Sequence, residues 1–191
     1  MNKNAKIRPW FVFTVKSMHK VVKNIKYAVI TVSDSRYNLL ISREVENNLE
    51  MKNKIKSIND ESGSLLTREL NADLYTIVPD NKEMIKGIVE HIVDHFDVDC
   101  IVLTGGTGIS KRDNTVEALK DIIEKELDGF KVIFQQMSYE EVGLSAMLSR
   151  AMAGIYKDKI IYAIPGSVNA CKTALKIIKK ETGHILGHLG R

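Results

Sequence analysis

Cys100-Ile101-Val102-Leu103-Thr104-Gly105-Gly106-Thr107-Gly108, continued by Ile109-Ser110-Lys111-Arg112-Asp113-Asn114-Thr115, is the stretch that decides how this 191-residue chain folds. The apolar start predicts a short buried strand, the glycines a turn, and the polar end a helix start. Glycine admits positive φ and close approach of the backbone, and free amides beside a helix N-terminus attract anions, so the turn suits a phosphate. No Gly-Lys-Ser/Thr closes it, so it is not a Walker A loop, and it lacks the spacing of a dinucleotide fingerprint.

The rest of the chain alternates in the same way. Tyr27 to Val32 is an apolar, β-branched strand, Leu65 to Leu70 a helix, Asp73 to Val78 a strand, and Met84 to Phe96 a helix with apolar residues at helical spacing. After the glycine turn come a helix from Val116 to Leu127, a short strand Val132-Ile133-Phe134, a helix from Tyr139 to Ala153, a strand Ile160 to Ile164 and a helix Ala170 to Lys180. This pattern predicts an α/β fold: one doubly wound, mostly parallel sheet with helices on both faces. Ligands of such sheets bind beyond the carboxyl ends of the strands. Tyr37 to Asp60, rich in Lys, Asn and Glu, is expected to be a mobile insertion at that edge.

With 44% hydrophobic and 27% charged residues, the chain fits one globular domain. No acid precedes Asp34, whereas Lys3, Lys6, Arg8, Lys16, Lys20, Lys23 and Lys26 crowd the start. Residues 1–24 therefore read as a solvated basic extension and 25–191 as the domain. The extension lacks the interleaved aromatics of a strand-binding tail, so no nucleic-acid partner is expected. Pro9 to Val15 is too short for a secretory signal and no run is long enough to span a membrane. Cys100 and Cys171 read as buried thiols, which places the chain in the cytoplasm.

Four strand ends would bring polar groups to one rim: Ser33 and Asp34, Pro79 and Asp80, Thr104 to Asp113, and Pro165-Gly166-Ser167. Asp80 with Glu83 reads as an acidic variant of the capping box, and Asn114 with Glu117 as a cap for the next helix, leaving the Asp113 carboxylate free. A carboxylate beside a phosphate site needs a cation between them, and Mg²⁺ is the natural one. Lys111 and Arg112 add positive charge or are merely solvated. Ser138 and Glu141 read as another capping box, opening a helix whose small residues allow close packing against a neighbouring helix or subunit. Direct ligand contact by Ser149 or Arg150 is the sharper alternative. Pro165-Gly166-Ser167 precedes a helix and makes a second anion site. His91 with His95, and His184 with His188, stand four apart but lack the His-Glu-x-x-His pattern of a zinc site.

Taken together, Val32-Ser33-Asp34-Ser35, Asp60-Glu61-Ser62-Gly63, Val78-Pro79-Asp80, Leu103 to Gly108, Lys111-Arg112-Asp113, Tyr139-Glu140-Glu141-Val142-Gly143, Met147-Leu148-Ser149-Arg150-Ala151 and Ile164-Pro165-Gly166-Ser167 closely resemble the MoaB/MogA family of molybdenum cofactor biosynthesis proteins. The tail Thr182 to Leu189 is most similar to the MoaB branch. The resemblance implies a molybdopterin-binding α/β domain assembled as a homotrimer or hexamer. It also implies that Mg²⁺ and ATP serve to adenylylate the terminal phosphate of molybdopterin before a partner protein inserts the metal. Asp80 and Asp113 fall on the two catalytic aspartates and would hold the Mg²⁺. Ser33, Thr104, Gly105, Gly106, Thr107, Gly108, Lys111, Arg112, Glu141, Ser149, Pro165, Gly166 and Ser167 fall on the substrate- and phosphate-binding positions. Asp113-Asn114-Thr115-Val116-Glu117 departs from the Asp-Val-Thr-Pro-Glu or Asp-Val-Thr-Ile-Glu run familiar there. Some relatives only bind the pterin or serve as scaffolds, which is the alternative function.

Overall fold

A computed structural model describes residues 21–42 and 58–190. Six strands form one sheet: β1 (Tyr27–Val32), β2 (Leu74–Val78), β3 (Cys100–Thr104), β4 (Lys125–Glu126), β5 (Met152–Tyr156) and β6 (Lys159–Ile164). Their order is β2-β1-β3-β6-β5-β4, with the first four parallel, β5 antiparallel to β6, and β4 antiparallel to β5. The helices are α1 (Asp34–Ile41), α2 (Glu61–Leu70), α3 (Lys82–His95), α4 (Thr115–Lys120), α5 (Asp128–Val142) and α6 (Val168–His188), with a 3₁₀ turn at Gly143–Leu148.

The central strands are largely apolar because both faces are covered, and successive side chains alternate between two cores. Val29, Val102 and Tyr162 pack against α2, α5 and α6 through Leu66, Phe134 and Ile178. Ala28, Ile30, Ile101, Leu103 and Ile161 pack on the other side against α3 and α4 through Ile85, Val89 and Leu119. Register pairs Val32 with Val78, Thr31 with Thr104, and Thr104 with Ile164, so four carboxyl ends share one rim.

Three expected elements are corrected. Val132-Ile133-Phe134 is not a strand but lies within α5, because Phe130 and Phe134, four apart, stack at 5.9 Å and Phe130 meets Tyr162 at 5.0 Å. The helix expected over Tyr139 to Ala153 is the end of α5, the 3₁₀ turn and β5; Gly143, at φ 62, ends α5. Ser138 is therefore buried in mid-helix and opens no capping box. The helix expected to reach Leu127 stops at Lys120, before β4. Gly154 is small because a Cβ there would lie 2.9 Å from the Lys125 carbonyl oxygen across the β4–β5 pair.

Tyr37 to Ile41 belongs to α1, and the remaining expected insertion over 43–57 lies outside the described residues, as do 1–20. Cys100 and Cys171 are buried free thiols. Among the described residues no helix is long and apolar enough to cross a membrane.

Candidate active site

The rim is built by loops that cap the following helices and bind one another. Ser33 caps α1 by accepting from the Arg36 amide at 3.4 Å, and its own amide donates to the Val78 carbonyl at 2.8 Å. Asp34 Oδ1 accepts from the Asp80 amide at 2.9 Å. Asn81, not Asp80, caps α3, accepting from the Met84 amide at 3.0 Å. The capping-box reading of Asp80 and Glu83 is thereby corrected, and the Asp80 carboxylate turns elsewhere. Its Oδ1 accepts from the Asn114 amide at 2.8 Å, while Asn114 Nδ2 donates to the Asp80 and Arg112 carbonyls at 3.1 and 2.9 Å. The Asn114 side chain accordingly makes no cap bond at α4, which corrects that expectation too.

The glycine loop is held from below and open above. Gly105 sits at φ 105, where a Cβ would collide with the Val32 carbonyl oxygen, and its amide donates to the Ile164 carbonyl at 3.0 Å. Gly106 sits at φ 63; Thr115 bonds the carbonyls of Gly105 and Gly106 through Oγ1 and its amide, at 2.9 and 3.0 Å. Thr104 Oγ1 donates to the Pro165 carbonyl at 3.1 Å, and Ser62 Oγ to the Gly166 carbonyl at 2.8 Å. A Cβ on Gly166 would stand 3.3 Å from Gly105 Cα, so the two turns are in contact. Ser167 caps α6 through the Ala170 amide at 3.2 Å. The amides of Gly106, Thr107, Gly108, Ile109 and Lys111 donate to no acceptor among the described residues. Such a run of unpaired N–H groups can form a nest for an anion, and Gly105, whose amide is engaged, would shape it without donating to it.

Asp80 and Asp113 flank the nest. A Cβ on Gly106 would lie 2.7 Å from Asp80 Oδ2, and one on Gly108 would lie 2.8 Å from Asp113 Oδ2. Asp113 Oδ2 accepts from the Ser110 amide at 2.7 Å; Asp80 Oδ2 and Asp113 Oδ1 accept from no described donor. Burial pushes the Asp80 carboxyl up from its ordinary value; the Asn114 amide opposes this, and the charges of Asp113 and Asp34 add to the rise. The carboxylates thus repel each other across the loop. Among the described residues no three acidic, His or Cys side chains form a metal cage. Two hard oxygen donors with open positions fit a magnesium ion whose remaining ligands are phosphate oxygens and water.

Lys111 and Arg112 are exposed on the same loop and join no ion pair among the described residues. Glu141 is not brought to the nest: on α5 it accepts from Thr173 Oγ1 at 2.6 Å and Lys176 Nζ at 3.2 Å, tying α5 to α6, and these bonds hold its carboxyl low. Ser149 Oγ is buried without a hydrogen-bond partner among the described residues. Arg150 faces the loop's own carbonyls and Glu117. Asp60, buried at the start of α2, takes bonds from Thr31 Oγ1 at 2.5 Å, Tyr75 Oη at 2.6 Å and the Gly63 amide at 3.0 Å, with Arg36 at 3.7 Å. It anchors the edge beside a cavity of about 640 Å³ lined by Asn59, Arg68, Val168 and Lys172. Both histidine pairs lie toward the C-terminal ends of α3 and α6, at the opposite edge of the sheet.

The molybdenum cofactor biosynthesis family model, described as a probable molybdopterin binding domain, matches residues 28–184. The chain is 75% identical over 172 residues to a probable molybdopterin adenylyltransferase of Methanocaldococcus jannaschii, covering 90% of this chain and 98% of that one. It is 41% identical over 175 residues to a molybdopterin adenylyltransferase of Pyrococcus furiosus, covering 87% and 92%. The crystal structure of the tungsten cofactor synthesizing protein MoaB from Pyrococcus furiosus superposes with a TM-score of 0.72 at 38% identity, over 88% of this chain and 99% of that one. The fold, the rim of strand ends and these matches agree: the chain belongs to the molybdenum cofactor biosynthesis family, in its MoaB branch.

Proposed function

We propose that this chain is a molybdopterin adenylyltransferase that uses Mg²⁺ and ATP. The observation that carries the reading is the nest of unpaired amides from Gly106 to Ile109, with Asp80 and Asp113 at its two ends. A phosphate oxygen of molybdopterin attacks the α-phosphorus of ATP; the new P–O bond forms as the α–β bridging P–O bond breaks, and pyrophosphate leaves. Two anions must meet, so positioning and charge neutralisation supply the catalysis. Asp80 and Asp113 would hold magnesium, which when bound supplies positive charge to the phosphates. The amides of Gly106, Thr107, Gly108 and Ile109 fix one phosphate, and Lys111 or Arg112 steadies the departing pyrophosphate. Ser33, Thr104, Ser149 and Pro165-Gly166-Ser167 shape the walls, the pterin end lying toward Gly166 and the adjoining cavity. Glu141 serves from behind, by fixing α5 against α6.

The working unit is a cytoplasmic homotrimer or hexamer handing its product to a molybdenum-insertion protein, with residues 1–24 outside the catalytic unit. The exposed apolar side chains of Tyr139, Val142, Leu144, Met147 and Leu148 support self-association. The test is AMP transfer from ATP to molybdopterin by the purified protein with magnesium, beside Asp113→Asn. Transfer by the native chain and its loss in the variant are expected; pterin binding without transfer by the native chain would overturn the reading in favour of a non-catalytic scaffold.

A further inference from the structure

Arg150 is the hub of the glycine loop, yet it does not face the loop's open side. Its backbone amide donates to the Thr107 carbonyl at 2.9 Å and its Nε to the Gly108 carbonyl at 2.7 Å. Nη2 donates to the Asp113 carbonyl at 3.1 Å and to Glu117 Oε2 at 3.2 Å, and Nη1 donates to Glu117 Oε1. A guanidinium has five N–H groups, and these bonds engage at least four. Little remains for an anionic ligand. The Arg150 bond holds the Glu117 carboxyl below its ordinary value.

The consequence follows from peptide planarity. In a trans peptide the C=O and the following N–H point in opposite directions, and the described chain has no cis peptide. With the Thr107 and Gly108 carbonyls turned to Arg150, the amides of Gly108 and Ile109 face away from it, and these are two members of the unpaired nest. With the Asp113 carbonyl turned to Arg150, the Asn114 amide faces the other way, where it donates to Asp80 Oδ1 at 2.8 Å. One peptide unit therefore spans Arg150 and Asp80.

We infer that Arg150, locked by Glu117, is a positioning residue that orients the phosphate-binding amides and, through the Asp113–Asn114 peptide, the Asp80 carboxylate. Lysine cannot replace it, because a single ammonium lacks the planar fork that reaches two carbonyls and a carboxylate at once. The kinetic part of this inference rests on the adenylyl-transfer reading; the structural part does not.

The experiment compares the full chain with Arg150→Lys and Glu117→Gln. Amide hydrogen exchange by NMR is expected to show Asn114 exchanging about tenfold or more faster in Arg150→Lys, with the β3 amides unchanged. With Mg²⁺ and ATP, kcat for AMP transfer is expected to fall about 100-fold while KM for ATP moves little, and Glu117→Gln is expected to give a smaller change of the same kind. Native exchange at Asn114, or a lowered melting temperature with kcat intact, would overturn the inference. So would a loss confined to KM, which would make Arg150 a ligand contact. If Arg150→Lys does not fold, Glu117→Gln must still accelerate Asn114 exchange or the inference fails. Absence of transfer by the native chain would strike the activity reading alone, leaving the exchange result to judge Arg150.

Discussion

Asn114 grips Asp80 twice, donating its backbone amide to Oδ1 at 2.8 Å and its Nδ2 to the Asp80 carbonyl at 3.1 Å. The loop after β2 and the loop after β3 are thereby one body, although 34 residues separate the pair. Asn114→Ala keeps the amide bond but deletes both side-chain bonds, including the one to the Arg112 carbonyl. It is expected to cost about 1–2 kcal/mol in urea denaturation, the range for partly buried hydrogen bonds. The AMP-transfer rate should fall by about tenfold, because the carboxylate keeps its bond while its backbone support loosens.

Asp80 holds a proton more readily in the folded chain than in the unfolded one, chiefly because it is partly buried and then because Asp113 and Asp34 are near. Its contribution to stability is complete below the ordinary carboxylate range and is lost as pH rises through its raised folded value. At neutral pH the ionised carboxylate is therefore a cost to the fold. Asp80→Asn keeps an oxygen for the Asn114 amide and removes that charge. Thermal melts should place the variant above the native protein near pH 7, with the gap closing toward about pH 4. Millimolar Mg²⁺ should raise the native melting temperature and leave the variant's unchanged, and AMP transfer by the variant should be lost.

Adjacent glycines of the loop should fail in different ways. A Cβ on Gly105 meets backbone, the Val32 carbonyl oxygen, at a φ of 105 that alanine avoids. Gly105→Ala should cost about 3 kcal/mol in stability, read by chemical denaturation. Gly106 lies at φ 63, which alanine adopts at a cost of about 1–2 kcal/mol. There the new methyl meets Thr115 Oγ1 and the Asp80 carboxylate, which are side chains. Gly106→Ala should therefore remain folded and lose about 100-fold in kcat, because the displaced group is the carboxylate assigned to the metal.

β1, β3 and β6 were legible in the sequence because a strand buried on both faces is a continuous apolar run, and their carboxyl ends named the rim where Asp80 and Asp113 stand. Partners were less legible than positions. Asp80 and Asn81 are neighbours with similar capping ability, and only backbone direction decides that Asn81 reaches the Met84 amide while Asp80 reaches Asn114. Arg150 was legible as a charged residue near the site, but its role depends on carbonyl directions that no spacing encodes. β5 was hidden because Ala153 and Gly154 lack the bulky β-branched look of a strand; Gly154 is small to admit β4. α5 was cut short by the β-branched pair Val132 and Ile133, whose side chains are exposed and so say nothing about the core.

The decisive signal in α5 is the spacing of Phe130 and Phe134, and it yields a test of helix against strand. On a strand, residues two apart share a face, so Val132 and Phe134 would be buried together. On the helix Phe134 is fully buried while Val132 is 65% exposed. Phe134→Ala should cost about 3–5 kcal/mol, because the ring fills the core between α5 and the sheet and leaves a cavity when removed. Lys131→Ala, on the solvent side of the same turn, should change stability by less than about 0.5 kcal/mol. Urea midpoints of the two variants read the difference. Comparable losses at Val132 and Phe134 would restore the strand, and with it a site whose Glu141 is no longer braced against Thr173.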